Sequence, residues 1–135
     1  MAVRGSYLPQ NPLGYHLLFA PDVCQGPDGR YYLYYAFDFL GIMSVAVCDT
    51  PAGEYKFLGH IHYADGTLWG RRRGDQLPFD PGVLADDDGR VWLYSGFYNA
   101  VPAILTGGHK LRCDGGTVLE LEKDMVTIKT EPRVI

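Results

Sequence analysis

Phe79-Asp80-Pro81-Gly82-Val83-Leu84-Ala85-Asp86-Asp87-Asp88-Gly89-Arg90-Val91-Trp92-Leu93-Tyr94 decides the fold, because part of it has occurred before. Pro81, Val83, Asp88, Gly89, Arg90, Leu93 and Tyr94 repeat Pro21, Val23, Asp28, Gly29, Arg30, Leu33 and Tyr34 at a constant offset of 60 residues. Tyr32 is matched by Trp92, aromatic for aromatic. An offset held across so many positions marks two copies of one supersecondary unit. In front of the shared proline the first copy has Ala20 and the second has Asp80. The scaffold repeats while a carboxylate enters only one copy, which is how a site is grafted onto a repeat.

Asp28-Gly29 and Asp88-Gly89 each lie between a short apolar run and a run of alternating large side chains, the pattern of a β-hairpin. The first hairpin is expected over residues 22–25 and 31–36, the second over 82–85 and 91–97. Residues 42–48 make a third strand apolar on both faces, because Met43, Val45 and Val47 alternate with Ile42, Ala46 and Cys48. Such a strand belongs in a stacked interior. Beyond the turn Asp49-Thr50-Pro51-Ala52-Gly53, residues 55–62 complete a four-stranded antiparallel meander. In the second copy the third strand is expected at 117–122, after a loop through Gly107, Gly108, Gly115 and Gly116, and the fourth at 126–131. No long segment has helical periodicity. The expected fold is all-β, and the repeat architecture built from four-stranded antiparallel sheets is the β-propeller. A β-sandwich would account for the strands and turns but not for the constant offset.

At 135 residues the chain is of single-domain size, and its 17 Gly and 10 Tyr favour turns and strands. A net charge of −4 excludes an extended phosphate-binding footprint. The one basic run, Arg71-Arg72-Arg73, is short, is followed by Asp75, and reads as a solvated loop. No stretch approaches the roughly 18 apolar residues of a membrane span, and residues 1–10 lack the apolar core of an export signal. Cys24, Cys48 and Cys113 form no metal-spaced pair, and an odd number does not close a disulfide framework. A soluble, reduced, cytoplasmic protein with no nucleic-acid or membrane partner is expected. His16, His60, His62 and His109 show no metal-ligand spacing.

Asp80 is the sharpest chemical candidate. It opens the first strand of its unit, and the innermost strands of a propeller line a central channel where carboxylates from several blades converge. The same Asp-Pro pair also caps turns, and spacing alone leaves that alternative open. Asp22 aligns with Gly82, one position away from Asp80, so strand alternation points it to the other face and gives it a mainly structural role. Asp86-Asp87-Asp88 lacks the ligand spacing of a calcium loop and reads as a solvated hairpin tip.

Phe19-Ala20-Pro21-Asp22-Val23, Tyr31-Tyr32-Leu33-Tyr34-Tyr35, the turn from Asp49 to Tyr55, Phe79-Asp80-Pro81 and Asp86-Asp87-Asp88-Gly89-Arg90 resemble, in this order, glycoside hydrolase family 43. The resemblance implies a five-bladed propeller that cleaves β-xylosides, α-L-arabinofuranosides and related plant polysaccharide linkages with inversion. It implies three carboxyl groups: a base from the first blade, an aspartate that tunes pKa and orients, and an acid from a later blade. Asp80 matches the second. Phe19 stands where the family commonly has a sugar-stacking tryptophan, and Phe79 is a second candidate for substrate contact, although either also suits a core.

No Asp or Glu precedes Asp22, and Glu120, Glu122 and Glu131 fall within the second unit or at the chain end, so the base and acid roles are carried onto no residue. About two blades are expected, residues 19–65 and 78–132, after a segment 1–18. No cofactor is implied, although a calcium ion in the channel is compatible with the parent family. The isolated chain is expected not to hydrolyse its carbohydrate substrate, and to self-associate through unpaired blade faces. A non-catalytic sugar-binding or assembly module is the alternative.

Overall fold

A computed structural model describes residues 3–4, 17–97 and 100–135. Among the described residues nine strands form: β1 (Val3–Arg4), β2 (Leu18–Gln25), β3 (Tyr31–Phe37), β4 (Met43–Cys48), β5 (Tyr55–His60), β6 (Gly82–Ala85), β7 (Val91–Ser95), β8 (Thr117–Leu121) and β9 (Arg133–Val134). They make two sheets, ordered β1-β5-β4-β3-β2 and β6-β7-β8-β9. Every pairing is antiparallel except that of β1 with β5. The first sheet holds the expected four-strand meander with β1 added at its edge, and the second is a four-strand meander whose last strand lies beyond the expected one; these are propeller blades. Among the described residues no helix is long and apolar enough to cross a membrane.

The two hairpin tips are tied by carboxylates drawn from different places in the repeat. In the first, Asp28 accepts the Arg30 amide (3.0 Å) and the Tyr32 hydroxyl (2.6 Å), and these bonds with the Arg30 guanidinium hold its carboxyl below the usual range. In the second, Asp86 accepts the amides of Asp88 (3.0 Å) and Arg90 (2.9 Å) and the Trp92 indole N–H (3.1 Å). One member of the acidic run thus organises the turn, while Asp87 and Asp88 are solvated at its tip.

Period-two alternation places the core on both faces of the first sheet. Tyr32, Tyr34, Met43 and Val45 point one way and pack with Val91, Leu93, Leu119 and Leu121 of the second sheet. Leu33, Tyr35, Phe37, Ile42 and Ala46 fill the opposite face with Tyr55. Each such side chain withdrawn from water contributes about 1.5–3 kcal/mol, so the shared cluster welds the blades. Tyr34 spans the weld with its hydroxyl donating to the Met125 carbonyl (2.8 Å), which satisfies a buried phenol.

The fourth strand of the second sheet lies at Arg133–Val134 and not at 126–131. His62 donates its amide to the Val126 carbonyl (3.1 Å) and accepts the Ile128 amide (2.8 Å). That pairing, with Met125, Val126 and Ile128 buried in the shared core, draws the segment toward the first sheet and leaves the β8 edge to β9. The units also differ between their second and third strands. Five residues, 38–42, join β3 to β4, whereas 21 residues, 96–116, join β7 to β8.

Candidate active site

Asp80 lies at the entrance to β6 with φ of +48°, and Ala20, its counterpart sixty residues earlier, has φ of +46°. The left-handed region is uncommon for residues with a side chain, and a following proline already disfavours the right-handed one. In the first copy this conformation makes the irregularity in the β2–β3 ladder between Phe19 and Asp22. The repeat therefore conserves a kink, and the second copy puts an acid on it. The Asp80 side chain is exposed, and no hydrogen bond or ion pair among the described residues engages its carboxylate.

The backbone around Asp80 is fixed on both sides. Ahead of it, the Phe79 amide donates to Ser95 Oγ (2.9 Å), Ser95 Oγ donates to the Phe79 carbonyl (2.7 Å), and that carbonyl also accepts the Gly96 amide (2.8 Å). Ser95 is buried and serves as an inserted rung between β6 and β7. Behind it, the Val83 amide donates to Asp22 Oδ2 (2.8 Å), a bond from the first strand of one blade to the first strand of the next. Asp22 thus has a structural contact of its own, directed across the blade boundary.

Four phenylalanines gather beside Asp80. Phe19 lies 4.9 Å from Phe39 and 5.5 Å from Phe79 between ring centroids, Phe39 stacks on Phe79 at 5.6 Å with an interplanar angle of 3°, and Phe97 tilts against Phe79 at 4.7 Å. Phe79 is 4% exposed and is the buried centre of the group. Phe19, Phe39 and Phe97 are half-buried around it, so the rings with surface left for a ligand are those three. Sequence reasoning singled out Phe19 and Phe79 and passed over Phe39 and Phe97. The signal available was their position, since each follows the second strand of its blade by two residues.

The loop leading to Asp80 is built around a buried carboxylate. Asp75 accepts the Tyr63 hydroxyl (2.6 Å) and the amides of Gly70 (2.7 Å) and Arg72 (3.0 Å). Burial, then the bond to Asp75, pushes the Tyr63 phenol far up. The Arg72 guanidinium lies 3.4 Å over the Tyr63 ring and pairs with Asp65 and Glu131. Arg71, half-buried, donates to the carbonyls of Leu40 (2.8 Å), Gly41 (3.3 Å) and Gly70 (2.8 Å). Gly70 approaches Gly41 so closely that a Cβ there would collide with the Gly41 carbonyl. The run expected to be a solvated loop is so only at Arg73, because Arg71 and Arg72 supply donors and cation–π contact that a turn packed against the first sheet requires.

Among the described residues no group of three or more His, Cys, Asp or Glu side chains is gathered to hold a metal. The arrangement instead offers an exposed carboxylate, without a partner among the described residues, on a left-handed kink beside an aromatic surface. A carboxylate in that setting can accept hydrogen bonds from hydroxyl groups, and the rings can take the C–H face of a sugar.

Residues 3–135 match the family model described as glycosyl hydrolases family 43. A xylosidase/arabinosidase of Thermoclostridium stercorarium is 50% identical over 127 residues, which cover 94% of this chain and 25% of that protein. The solved structure of an α-L-arabinofuranosidase from Clostridium thermocellum superposes with a TM-score of 0.58 at 25% identity, over 88% of this chain and 35% of that one. A β-xylosidase/α-arabinofuranosidase from a compost microbial metagenome, solved with xylotriose, gives a TM-score of 0.57 at 25% identity, over 87% of this chain and 38% of that one. The chain thus spans between a quarter and two-fifths of the length of these relatives.

Proposed function

Because the chain belongs to glycosyl hydrolase family 43, we propose that it forms the part of a glycosidase that presents Asp80 to a xylose- or arabinose-containing oligosaccharide or polysaccharide. The observation that carries this reading is the exposed carboxylate of Asp80, without a partner among the described residues, on a kink that its repeat partner shares without the acid. In an inverting reaction one carboxyl protonates the leaving oxygen while another activates water on the opposite face. Asp80 serves neither purpose. Its negative charge raises the pKa of the nearby acid so that this group stays protonated near neutrality, and its oxygens orient the substrate. Phe19 stacks on the sugar, with Phe79 beneath it as support. The base and acid roles are assigned to no residue of this chain.

The test is hydrolysis of aryl β-D-xyloside and aryl α-L-arabinofuranoside by the full polypeptide that carries this sequence. Asp80→Asn keeps the shape and removes the charge, and is expected to lower kcat/KM by about 10²-fold or more. Wild-type rates in that variant would remove Asp80 from the mechanism. The 135-residue chain alone is expected to show no turnover.

A second reading rests on a different observation. The outer face of the second sheet exposes Leu84 and Tyr94, which suits a module that assembles with another copy and binds sugar without cleaving it. Binding of xylo- or arabino-oligosaccharide by a chain that shows no hydrolysis within the full polypeptide would favour it.

A further inference from the structure

Val83 belongs to β6, the edge strand of the second sheet, and β2 is the edge strand of the first. An edge amide turned away from its own ladder needs a partner from elsewhere. The Val83 amide finds it in Asp22 Oδ2 at 2.8 Å, 61 residues away in sequence. Only two residues, Pro81 and Gly82, separate that anchor from Asp80, and the segment has little freedom. Asp80 is held left-handed, Pro81 has its φ locked by the ring, and Phe79 is clamped by Ser95 and Gly96. Gly82 is the one flexible link, and it lies directly beside the Asp22 anchor.

We propose that Asp22 is the positioning residue for Asp80: its carboxylate, supplied by the neighbouring blade, fixes the second end of the segment whose first end Ser95 fixes. The proposal rests on the role given to Asp80 above. The repeat supports it, because the position equivalent to Asp22 in the second copy is Gly82, which has no side chain with which to make the same bond to a following blade. Within this chain the anchor stands ahead of the kink that bears the acid. What matters at Asp22 is the acceptor oxygen and its reach, and not the charge.

Three substitutions in the full polypeptide separate these features. Asp22→Ala removes the acceptor and is expected to lower kcat by about tenfold or more with KM within about threefold, since a displaced catalytic constellation loses transition-state contacts before ground-state ones. It should also move the alkaline limb of the pH profile down by about half a unit, because Asp80 then lies farther from the acid whose pKa it raises. Asp22→Asn keeps an acceptor oxygen at the same reach and is expected to restore kcat to within about threefold and to return the limb. Asp22→Glu keeps the charge but shifts the acceptor by one methylene, and is expected to resemble Asp22→Ala. It also supplies the decisive comparison if Asp22→Ala does not fold.

Equal impairment in Asp22→Asn and Asp22→Ala, or full activity in Asp22→Glu or Asp22→Ala, would overturn the proposal. Asp80→Asn distinguishes the two levels. If it is inactive while the Asp22 variants behave as wild type, only the positioning role fails. If it is as active as wild type, the role of Asp80 fails and the positioning proposal falls with it.

Discussion

Asp80 and Ala20 occupy the same left-handed backbone, with φ of +48° and +46°, at equivalent points of two blades. A strained conformation kept in both copies is a feature of the scaffold, and the carboxylate is an addition to it. Stability and function should therefore part company at these two sites. Ala20→Gly is expected to stabilise the protein by about 1 kcal/mol, since an L side chain in this region costs about 1–2 kcal/mol and glycine recovers most of that after its own entropic cost. Asp80→Gly should give a similar or smaller gain, because aspartate tolerates the conformation better than alanine, and should abolish hydrolysis. Urea unfolding reads the first effect and an aryl-glycoside assay the second. Loss of stability in both variants would show that the kink is not strained.

Ser95 is the next test of the clamp. Replacing it with alanine leaves the buried Phe79 amide without its acceptor, whereas the Phe79 carbonyl keeps the Gly96 amide. One orphaned buried donor costs about 1–3 kcal/mol. Ser95→Thr keeps the hydroxyl and is expected to recover part of the loss. Melting curves of the three proteins settle the order, and an Ser95→Ala variant as stable as wild type would mean that water replaces the hydroxyl.

How far the sequence foretold this arrangement depends on how local each cause is. The blades were legible because strand alternation and Asp-Gly turns act over a few residues, and Asp80 was legible because one substitution stands out against a constant offset. The left-handed backbone at Asp80 was not, since Ala20-Pro21 and Asp80-Pro81 are compatible with an ordinary turn until the β2–β3 register is known. Asp22 was assigned a structural role by strand alternation, but its partner Val83 lies across a blade boundary that no local pattern encodes. The strand expected at 126–131 does not form in the second sheet for the same reason: His62, from the other unit, competes for those backbone groups. In the sequence Arg71 reads as a solvated side chain, and only tertiary structure brings the carbonyls of Leu40 and Gly41 to it.

Alkaline pH should weaken the fold through Cys24. Burial, with the neighbouring Asp22 charge, pushes its thiol up to about 11 from an ordinary 9.0. The sign follows from linkage. Below pH 9 the thiol is protonated in both folded and unfolded chains, and this stabilising contribution is fully present. Above that the unfolded chain ionises first, so the contribution is lost progressively as pH rises toward 11. Tyr35, pushed up to about 12 by burial, extends the decline. Stability measured by urea unfolding should fall between pH 9 and 11, and Cys24→Ala should flatten that part of the curve. An unchanged slope in the variant would assign the decline to other groups.

The repeat also predicts how the 135-residue chain associates. Tyr32 and Tyr34, on the face of the first blade that packs against the second, are 3% and 0% exposed, whereas Trp92 and Tyr94 hold the same positions on the outer face of the second blade, where Tyr94 is 40% and Leu84 52% exposed. That face therefore presents apolar surface that association would cover. A head-to-tail ladder would need the opposite face of the first blade as acceptor, but Leu33, Tyr35 and Ile42 there are already buried. An isologous arrangement, two copies meeting through their second blades, is therefore the predicted one. Light scattering after gel filtration is expected to give a dimer that dissociates on dilution. Tyr94→Glu combined with Leu84→Glu should give a monomer, because two carboxylates brought face to face with their symmetry mates cannot be desolvated without large cost. A wild-type chain that stays monomeric at high concentration, or one that grows into open-ended oligomers, would contradict the assignment of this face.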